Sequence, residues 1–515
     1  MLAETQSSTD ISLLQKFEQE IWNKIPHVEG DKIVNTTPLV DLTEDLKECA
    51  KNIFKVDLED RDLKVYGKFD SELLSGSIKV RAASHIIHEA IKSGKCNGKR
   101  TVIEATSGNF GIALGLLSKL GVTVVALVSR KLQEGVFKEL RNENIRIIDL
   151  DMDICPAPGM ENKADELAAK ATAANIRSQL TEMGFDPETF DKNLEEIEKL
   201  LAKQDIINLA RFLAEIYNMF CPKQYDNELN VDVHRTVTAP EIDQQLHEKG
   251  DSLEDYEIIC SFGTGGTSGG LSQYMSQKYN KKSVHVVFPP LGQDVAGIRT
   301  KSKAEGLTLY KPESYIEHVI DFEKAKILLK FFVEKGHDIG ESTALELYSA
   351  LEMANSGQAK KFVVIVADGI GKYKKNFEQI SQDKLPIRIS LEDAASVAED
   401  YDKIIWVHTQ YTPREKGIEM IAKSLGVDKS KIVIPKARTI NQLLSTQQIP
   451  EEFNKELDGF KGKSLLVCMA GNTSLMTAQV LASKGIITQS LNGGITDLPE
   501  GRGKNPGEYI QIARE

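Results

Sequence analysis

Ser75-Gly76-Ser77-Ile78-Lys79-Val80-Arg81-Ala82-Ala83 is the stretch on which the reading of this 515-residue chain turns. Its lysine follows a tight small-residue turn and precedes Ala82-Ala83-Ser84-His85-Ile86-Ile87, a helix start, so Lys79 is placed at a helix N-terminus. Alone, a G-S-x-K stretch describes a solvated surface lysine. Two later loops reverse that reading. Thr106-Ser107-Gly108-Asn109-Phe110-Gly111 follows the strand pattern Thr101-Val102-Ile103, and Gly263-Thr264-Gly265-Gly266-Thr267 follows Ile258 to Phe262.

A helix N-terminus carrying hydroxyls and exposed N–H groups suits a carboxylate, although the Thr106 loop by itself also reads as an ordinary N-cap turn. Gly263, Gly265 and Gly266 let the backbone approach a phosphate, and Thr264 and Thr267 add hydroxyl donors. The G-x-x-x-x-G-K pattern is absent, and a dinucleotide fingerprint is poorly matched. An amine, a carboxylate cradle and a phosphate cradle in this order are what binding pyridoxal phosphate requires, with the lysine forming the Schiff base.

Around these loops short apolar strands alternate with helical patterns: Val122 to Val128, Ile145 to Leu150, Val284 to Phe288 and Phe362 to Val366, with a helix over 109–120. Such alternation predicts βαβ units and parallel sheets covered on both faces. Residues 10–30 read as an amphipathic helix. The charged stretch 160–220 reads as an inserted helical hairpin packed on a sheet, with a lid or partner-binding role as the alternative. A linker and domain boundary is expected near 380–388, giving a catalytic domain over 1–380 and a second alternating α/β domain over 388–515.

At these residues the chain resembles the cysteine synthase and cystathionine β-synthase family, the fold-type-II pyridoxal-phosphate enzymes. The resemblance runs from Asn35-Thr36-Thr37-Pro38-Leu39-Val40 to Tyr373 and includes Gln224-Tyr225-Asp226-Asn227 and Thr238-Ala239-Pro240-Glu241-Ile242. It implies two parallel-sheet α/β subdomains and a Schiff-base role for Lys79. It also implies that Asn109 contacts the cofactor's 3′-oxygen, that Thr106, Ser107 and Gln224 hold the substrate carboxylate, and that Gly263 to Thr267 hold the phosphate. Where the family presents a serine to the pyridine nitrogen, this chain has Ala367-Asp368-Gly369-Ile370-Gly371, which leaves Asp368 or Ser342 as that partner.

The C-terminal domain carries Ser464-Leu465-Leu466-Val467-Cys468-Met469-Ala470-Gly471-Asn472-Thr473-Ser474, a cysteine at a strand end before a helix. Loop N–H groups and the helix N-terminus favour a thiolate or persulfide there, whereas an unreactive core cysteine is the plainer reading. With Leu491-Asn492-Gly493-Gly494-Ile495 and Ile434-Pro435-Lys436-Ala437, the segment resembles a rhodanese (sulfurtransferase) domain, which would make Cys468 a catalytic sulfur carrier. Trp406 and His408 replace that family's acidic and basic pair, and Thr473 replaces a frequent loop arginine. A tyrosine-phosphatase reading fails because Ser474 stands where its arginine is needed.

The net charge of −12 argues against nucleic acid or acidic membranes as partners. Six scattered cysteines without C-x-x-C pairs suit a reducing cytosol and offer no metal site. The polar start and the lack of any long apolar run predict a soluble, cytoplasmic protein. The expected function is β-replacement on an O-activated serine, most economically with sulfide or persulfide to give cysteine. Diaminopropionate or cystathionine synthesis, cysteine desulfhydration feeding Cys468, and a non-catalytic sulfur-relay or regulatory scaffold are the alternatives. A small amino-acid substrate, a sulfur donor and a homodimeric assembly are expected.

Overall fold

The computed structural model describes residues 9–59, 61–128, 134–150, 165–203, 205–290, 293–378, 388–408, 415–457, 462–469, 471–484 and 486–499. Two compact units emerge: Met1–Pro289 with Val295–Ile380, and Pro290–Asp294 with Ser381–Glu515. Residues 380–387 of the linker expected near 380–388, Ala470, Cys155 and the first residues of the 160–220 insertion lie outside the described residues.

In the first unit the strands are β1 (His27–Glu29), β2 (Lys32–Val34), β3 (Leu39–Asp41), β4 (Lys64–Phe69), β5 (Val102–Ala105), β6 (Val124–Val128), β7 (Arg146–Asp149), β8 (Glu257–Ser261), β9 (Val284–Phe288), β10 (Ile316–Val319) and β11 (Lys361–Val366). They build a β1-β2 hairpin, a parallel sheet β5-β6-β7 and a six-stranded sheet β10-β9-β8-β11-β4-β3. The larger sheet is parallel except that β3 runs antiparallel to β4, a departure from the all-parallel expectation. Strands β5, β6 and β9 are buried along their whole length. Both faces are therefore covered, and burial runs continuously along these strands rather than alternating, with Glu104 and His285 as their buried polar members.

Three other expectations are corrected. The N-terminal helix spans only Ile11–Glu20, because the chain turns through Ile25-Pro26 into the β1-β2 hairpin. The helix expected over 109–120 ends at Gly115 and continues as a single tighter turn, Ser118–Leu120. Among its described residues the insertion forms four helices rather than a hairpin: Asp165–Glu182, Pro187–Lys192, Leu194–Ala202 and Ile206–Ile216. Its breaks fall where Asp186 caps Glu188 and Thr189 ahead of Pro187, and where Asp205 caps Asn208. Ala173, Ile176, Leu201 and Leu213 pack with Ile103, Val125 and Ile148, so these helices cover one face of the β5-β6-β7 sheet.

In the second unit, β12 (Arg388–Ile389), β13 (Lys403–Trp406), β14 (Ile432–Val433), β15 (Ser464–Val467) and β16 (Thr488–Leu491) form a parallel sheet ordered β12-β16-β15-β13-β14. Alternate residues serve two cores. Ile404, Trp406, Leu465 and Val467 face one, and Ile405, Val407, Leu466 and Cys468 face the other. No helix among the described residues is long and apolar enough to cross a membrane.

Candidate active site

The loops singled out by sequence leave the carboxyl ends of β4, β5, β8 and β11, where open α/β sheets place ligands. The Lys79 turn is latched to the end of β11: Ile78 N–H donates to the Ala367 carbonyl at 2.8 Å, and Ser77 bridges Asp368. Lys79 then opens the helix Lys79–Lys92. Part of the side chain remains open to solvent while the amine is enclosed by protein. Burial pushes its pKa down to about 8, against the attraction of Asp368 and with help from the charge of Arg299. Among the described residues no hydrogen bond holds this amine.

The Gly263 loop lies against it. A Cβ built on Gly263 would stand 3.5 Å from Lys79 Nζ and 3.1 Å from the Gly297 carbonyl oxygen. Gly265, at φ +96°, has no room for a side chain, since a Cβ would meet the Leu309 carbonyl oxygen at 2.4 Å. A Cβ on Gly266 would strike Asn230 Oδ1 at 2.1 Å. Asn230 braces the loop, donating to Thr264 Oγ1 at 3.0 Å and to the Gln224 carbonyl at 2.8 Å. Thr267 Oγ1 meets His234 Nε2 at 3.3 Å, while His234 Nδ1 pairs with Thr238 Oγ1. Burial, then the charges of Arg81 and Lys79, push the His234 pKa down to about 3, so the imidazole is neutral.

In the Thr106 loop the roles divide. Thr106 is buried, and its Oγ1 accepts from Gly108 N–H at 3.0 Å and Gly111 N–H at 3.1 Å, so it shapes the turn. Ser107 is exposed. Gln224 is buried, its Nε2 donating to the Ala105 carbonyl at 2.9 Å and its N–H to Glu104 Oε2 at 3.0 Å. Burial pushes the Glu104 pKa up to about 7, opposed by the backbone N–H groups of Gln224 and Ala105 that donate to its carboxylate.

Asn109 has its amide orientation fixed by chemistry. Lys372 Nζ can only donate, and it does so to Asn109 Oδ1 at 2.6 Å and to the Gly76 carbonyl at 3.2 Å. Asn109 Nδ2 is thereby turned to Asp368 Oδ2, 2.7 Å away, which also accepts from the Tyr373 hydroxyl. Position 369 cannot carry a serine here, because a Cβ on Gly369 would fall 2.2 Å from Asp338 Oδ2.

Behind the site lies a charge cluster that sequence reasoning missed. Arg81 pairs with Asp70 at 2.7 Å and with Glu241 at 2.8 Å, Lys68 pairs with Glu241 at 2.6 Å, and all four side chains are fully buried. Thr37 links them, its hydroxyl donating to Asp70 and its N–H to Glu241. Arg81 lies two residues beyond Lys79, so the cluster ties down the first turn of that helix. Glu241 is 173 residues from Lys68 and 204 from Thr37, a separation that leaves no local pattern.

In the second unit, Cys468 follows β15. Its sulfur accepts from Gly471 N–H at 3.1 Å and from the Ser474 hydroxyl at 3.3 Å, and Ser490 donates to Ser474 Oγ at 2.8 Å. The chain leaves β13 toward β14 on one side and leaves β15 toward β16 on the other, so Cys468 stands at the point where the winding reverses.

Comparison with known proteins agrees with the first unit. The family described as "Pyridoxal-phosphate dependent enzyme" matches residues 52–369. A probable cysteine synthase of Bacillus subtilis (strain 168) is 26% identical over 355 residues, covering 66% of this chain and 93% of that protein. An O-acetylserine dependent cystathionine beta-synthase of the same organism is 26% identical over 312 residues, covering 59% and 85%. A solved structure of a hydrogen sulfide-producing enzyme shares the fold, with TM-score 0.51 and 17% identity over 73% of this chain and 94% of that one. The donor set suits such a cofactor: an enclosed amine inclined to neutrality stands beside a loop in which Gly263, Gly265 and Gly266 leave the backbone bare.

Proposed function

We propose that this chain, which belongs to the pyridoxal-phosphate dependent enzyme family, replaces the β-substituent of an O-activated serine, with cysteine from sulfide or persulfide as the most economical product. The observation that carries the reading is the Lys79 amine, held without a hydrogen-bond partner among the described residues beside the Gly263 loop. When bound, pyridoxal phosphate supplies the electron sink that loosens bonds at Cα and the β-substituent.

Lys79 would be the residue that holds the cofactor, and its Nζ would accept the substrate Cα proton; a pKa pushed down to about 8 suits both roles at neutral pH. Gly263 to Thr267 would hold the phosphate, with Asn230 and His234 bracing the loop from behind. Ser107 presents the hydroxyl that meets the substrate carboxylate, while Thr106 and Gln224 set the loop's shape. Asn109, now bonded to Lys372 and Asp368, would contact the cofactor's 3′-oxygen. Of the two candidates for the pyridine nitrogen, Asp368 is favoured, because it bonds Asn109 and its charge reaches Lys79. The name of the O-acetylserine dependent Bacillus relative favours a serine-derived substrate, and that of the probable cysteine synthase favours cysteine as product.

For the second unit, 388–515, we propose a rhodanese-like sulfur carrier, supported by the two donors aimed at Cys468 Sγ and its place at the reversal of the sheet. The linked assignments, a 1–380 catalytic domain, a homodimer and a cytoplasmic location, are proposals of the same standing.

The test is to assay purified protein with O-acetylserine, O-phosphoserine, serine and cysteine, each with and without sulfide. Sulfide-dependent cysteine formation from an O-activated serine is expected; turnover of none of them, or of cysteine alone, contradicts β-replacement. For Cys468, incubation with thiosulfate should add the mass of one sulfur to its peptide, and Cys468→Ser should lose that gain. An unmodified wild-type peptide contradicts the carrier role.

A further inference from the structure

Glu104 has no role in the site as described, yet its buried carboxylate stands directly behind the Thr106 loop, near the end of β5. One edge of β5 pairs with β6. Along the other edge the chain around Phe220 keeps step briefly: Phe220 N–H donates to the Thr101 carbonyl at 2.8 Å, and Ile103 N–H to the Phe220 carbonyl at 2.9 Å. Pro222 has no N–H with which to continue the pairing. The Glu104 side chain takes over where it stops. Its Oε1 accepts from Ala105 N–H at 3.1 Å, and its Oε2 from Gln224 N–H at 3.0 Å. Gln224 answers with its own side chain, Nε2 donating to the Ala105 carbonyl at 2.9 Å.

The two side chains form a reciprocal clasp between segments 120 residues apart in the chain. Asn230 extends it, donating to the Gln224 carbonyl and to Thr264 Oγ1, so the Thr106 loop and the Gly263 loop are joined through Gln224. An ionised carboxylate suits this place because both of its oxygens accept. A protonated carboxyl or a carboxamide would turn a donor toward one of the two N–H groups. Leaving a buried N–H without an acceptor costs ~1–3 kcal/mol, enough to loosen a loop. Other groups act on the carboxylate from the neighbouring elements. Arg211, on the helix Ile206–Ile216, attracts it but is itself paired with Asp226. Lys223 contributes its backbone N–H. Cys221 Sγ lies 4.0 Å from Glu104 Oε1, and burial, then the charge of Glu104, holds its thiol well above the usual range and protonated.

We propose that Glu104 is a positioning residue: through Ala105 and Gln224 it holds the cradle for the substrate carboxylate closed, and protonation of its side chain opens that cradle. The proposal rests on the reading of the Thr106 loop as the carboxylate site. Glu104 acts through the backbone of its two partners and takes no part in making or breaking a substrate bond. Because burial raises its pKa to about 7, the closed clasp prevails above neutrality and the open one below. Affinity for a carboxylate should therefore fall as pH falls through that value.

Two arms test this on the full-length, cofactor-loaded protein. In the first, amide hydrogen exchange is followed at one pH in peptides covering 103–112 and 220–228 for wild type, Glu104→Gln and Glu104→Asp. Both peptides should exchange at least about fivefold faster in Glu104→Gln, with Glu104→Asp between. In the second, propionate, a carboxylate without an amine, competes with L-serine in titrations of the bound-cofactor absorbance. The wild-type Ki for propionate should rise ~10-fold between about pH 8.5 and about pH 6. Glu104→Gln should bind propionate weakly and equally across that range, and Glu104→Asp should keep the slope. Unchanged exchange in Glu104→Gln, propionate binding that tightens toward acid, or a slope that survives in Glu104→Gln overturns the proposal. If Ser107→Ala leaves propionate binding unmoved, the carboxylate reading of the loop fails by itself, and the exchange arm still decides for or against the clasp. Should Glu104→Gln not fold, Glu104→Asp carries the decision: faster exchange with the slope retained supports the proposal, and unchanged exchange with a flat wild-type profile overturns it.

Discussion

Lys79 and Cys468 both lie beyond the carboxyl ends of parallel strands, but the two sites are assembled over different distances. The sulfur of Cys468 is met by Gly471 and Ser474, and Ser474 by Ser490, all within 22 positions of the cysteine. The surroundings of Lys79 come from the loops after four strands and from residues as far away as Asp368, Lys372 and Arg299. One is a local motif whose donors come with the loop. The other is a long-range construction, and its reactive group is tuned by burial and by charges that no short segment supplies.

The comparison breaks first if the Lys79 site does not depend on distant groups. Glu241→Gln should destabilise the first unit by ~3–5 kcal/mol, because it leaves Lys68 and Arg81, both fully buried, with one carboxylate between them. Denaturant unfolding measures it; a loss under about 1 kcal/mol would mean that the cluster adjusts locally. Gly266→Ala should weaken cofactor binding by ~10–100-fold, since the new methyl displaces Asn230 from the loop it braces. Retained affinity, read by absorbance titration, would show that the loop does not need that fit.

Smaller effects sharpen the contrast. Ser107→Ala should raise the apparent Kd for amino-acid substrates by ~3–10-fold, as loss of one exposed hydroxyl contact implies. Ser474→Ala should slow sulfur uptake at Cys468 by a similar few-fold, because Gly471 N–H still donates to the sulfur. If Ser474→Ala abolishes uptake, the hydroxyl relay through Ser490 matters more than the backbone donor.

What sequence could reveal followed the same divide. Small-residue loops after apolar runs announced the Lys79, Thr106 and Gly263 segments, and each lies at a strand end. The four-helix insertion was only half legible, because helical periodicity does not say where Asp186-Pro187 and Asp205 will cut it. Lys372, His234, Arg299 and the Arg81 cluster carried no signal, since their partners are set by which strands neighbour in the sheets. Lys372 is the instructive case: a second enclosed lysine whose amine is committed to Gly76 and Asn109, where that of Lys79 is not.

That pair defines the most direct measurement. Cofactor-loaded protein is reduced with borohydride, digested, and the modified lysine is located by mass spectrometry, with the rate of cofactor capture followed against pH beforehand. The expected result is modification at Lys79 alone, with capture rising as the amine loses its proton and levelling above about pH 8, where an ordinary lysine would still be rising. Modification at Lys372, or capture that keeps rising toward the ordinary lysine range, would contradict the account.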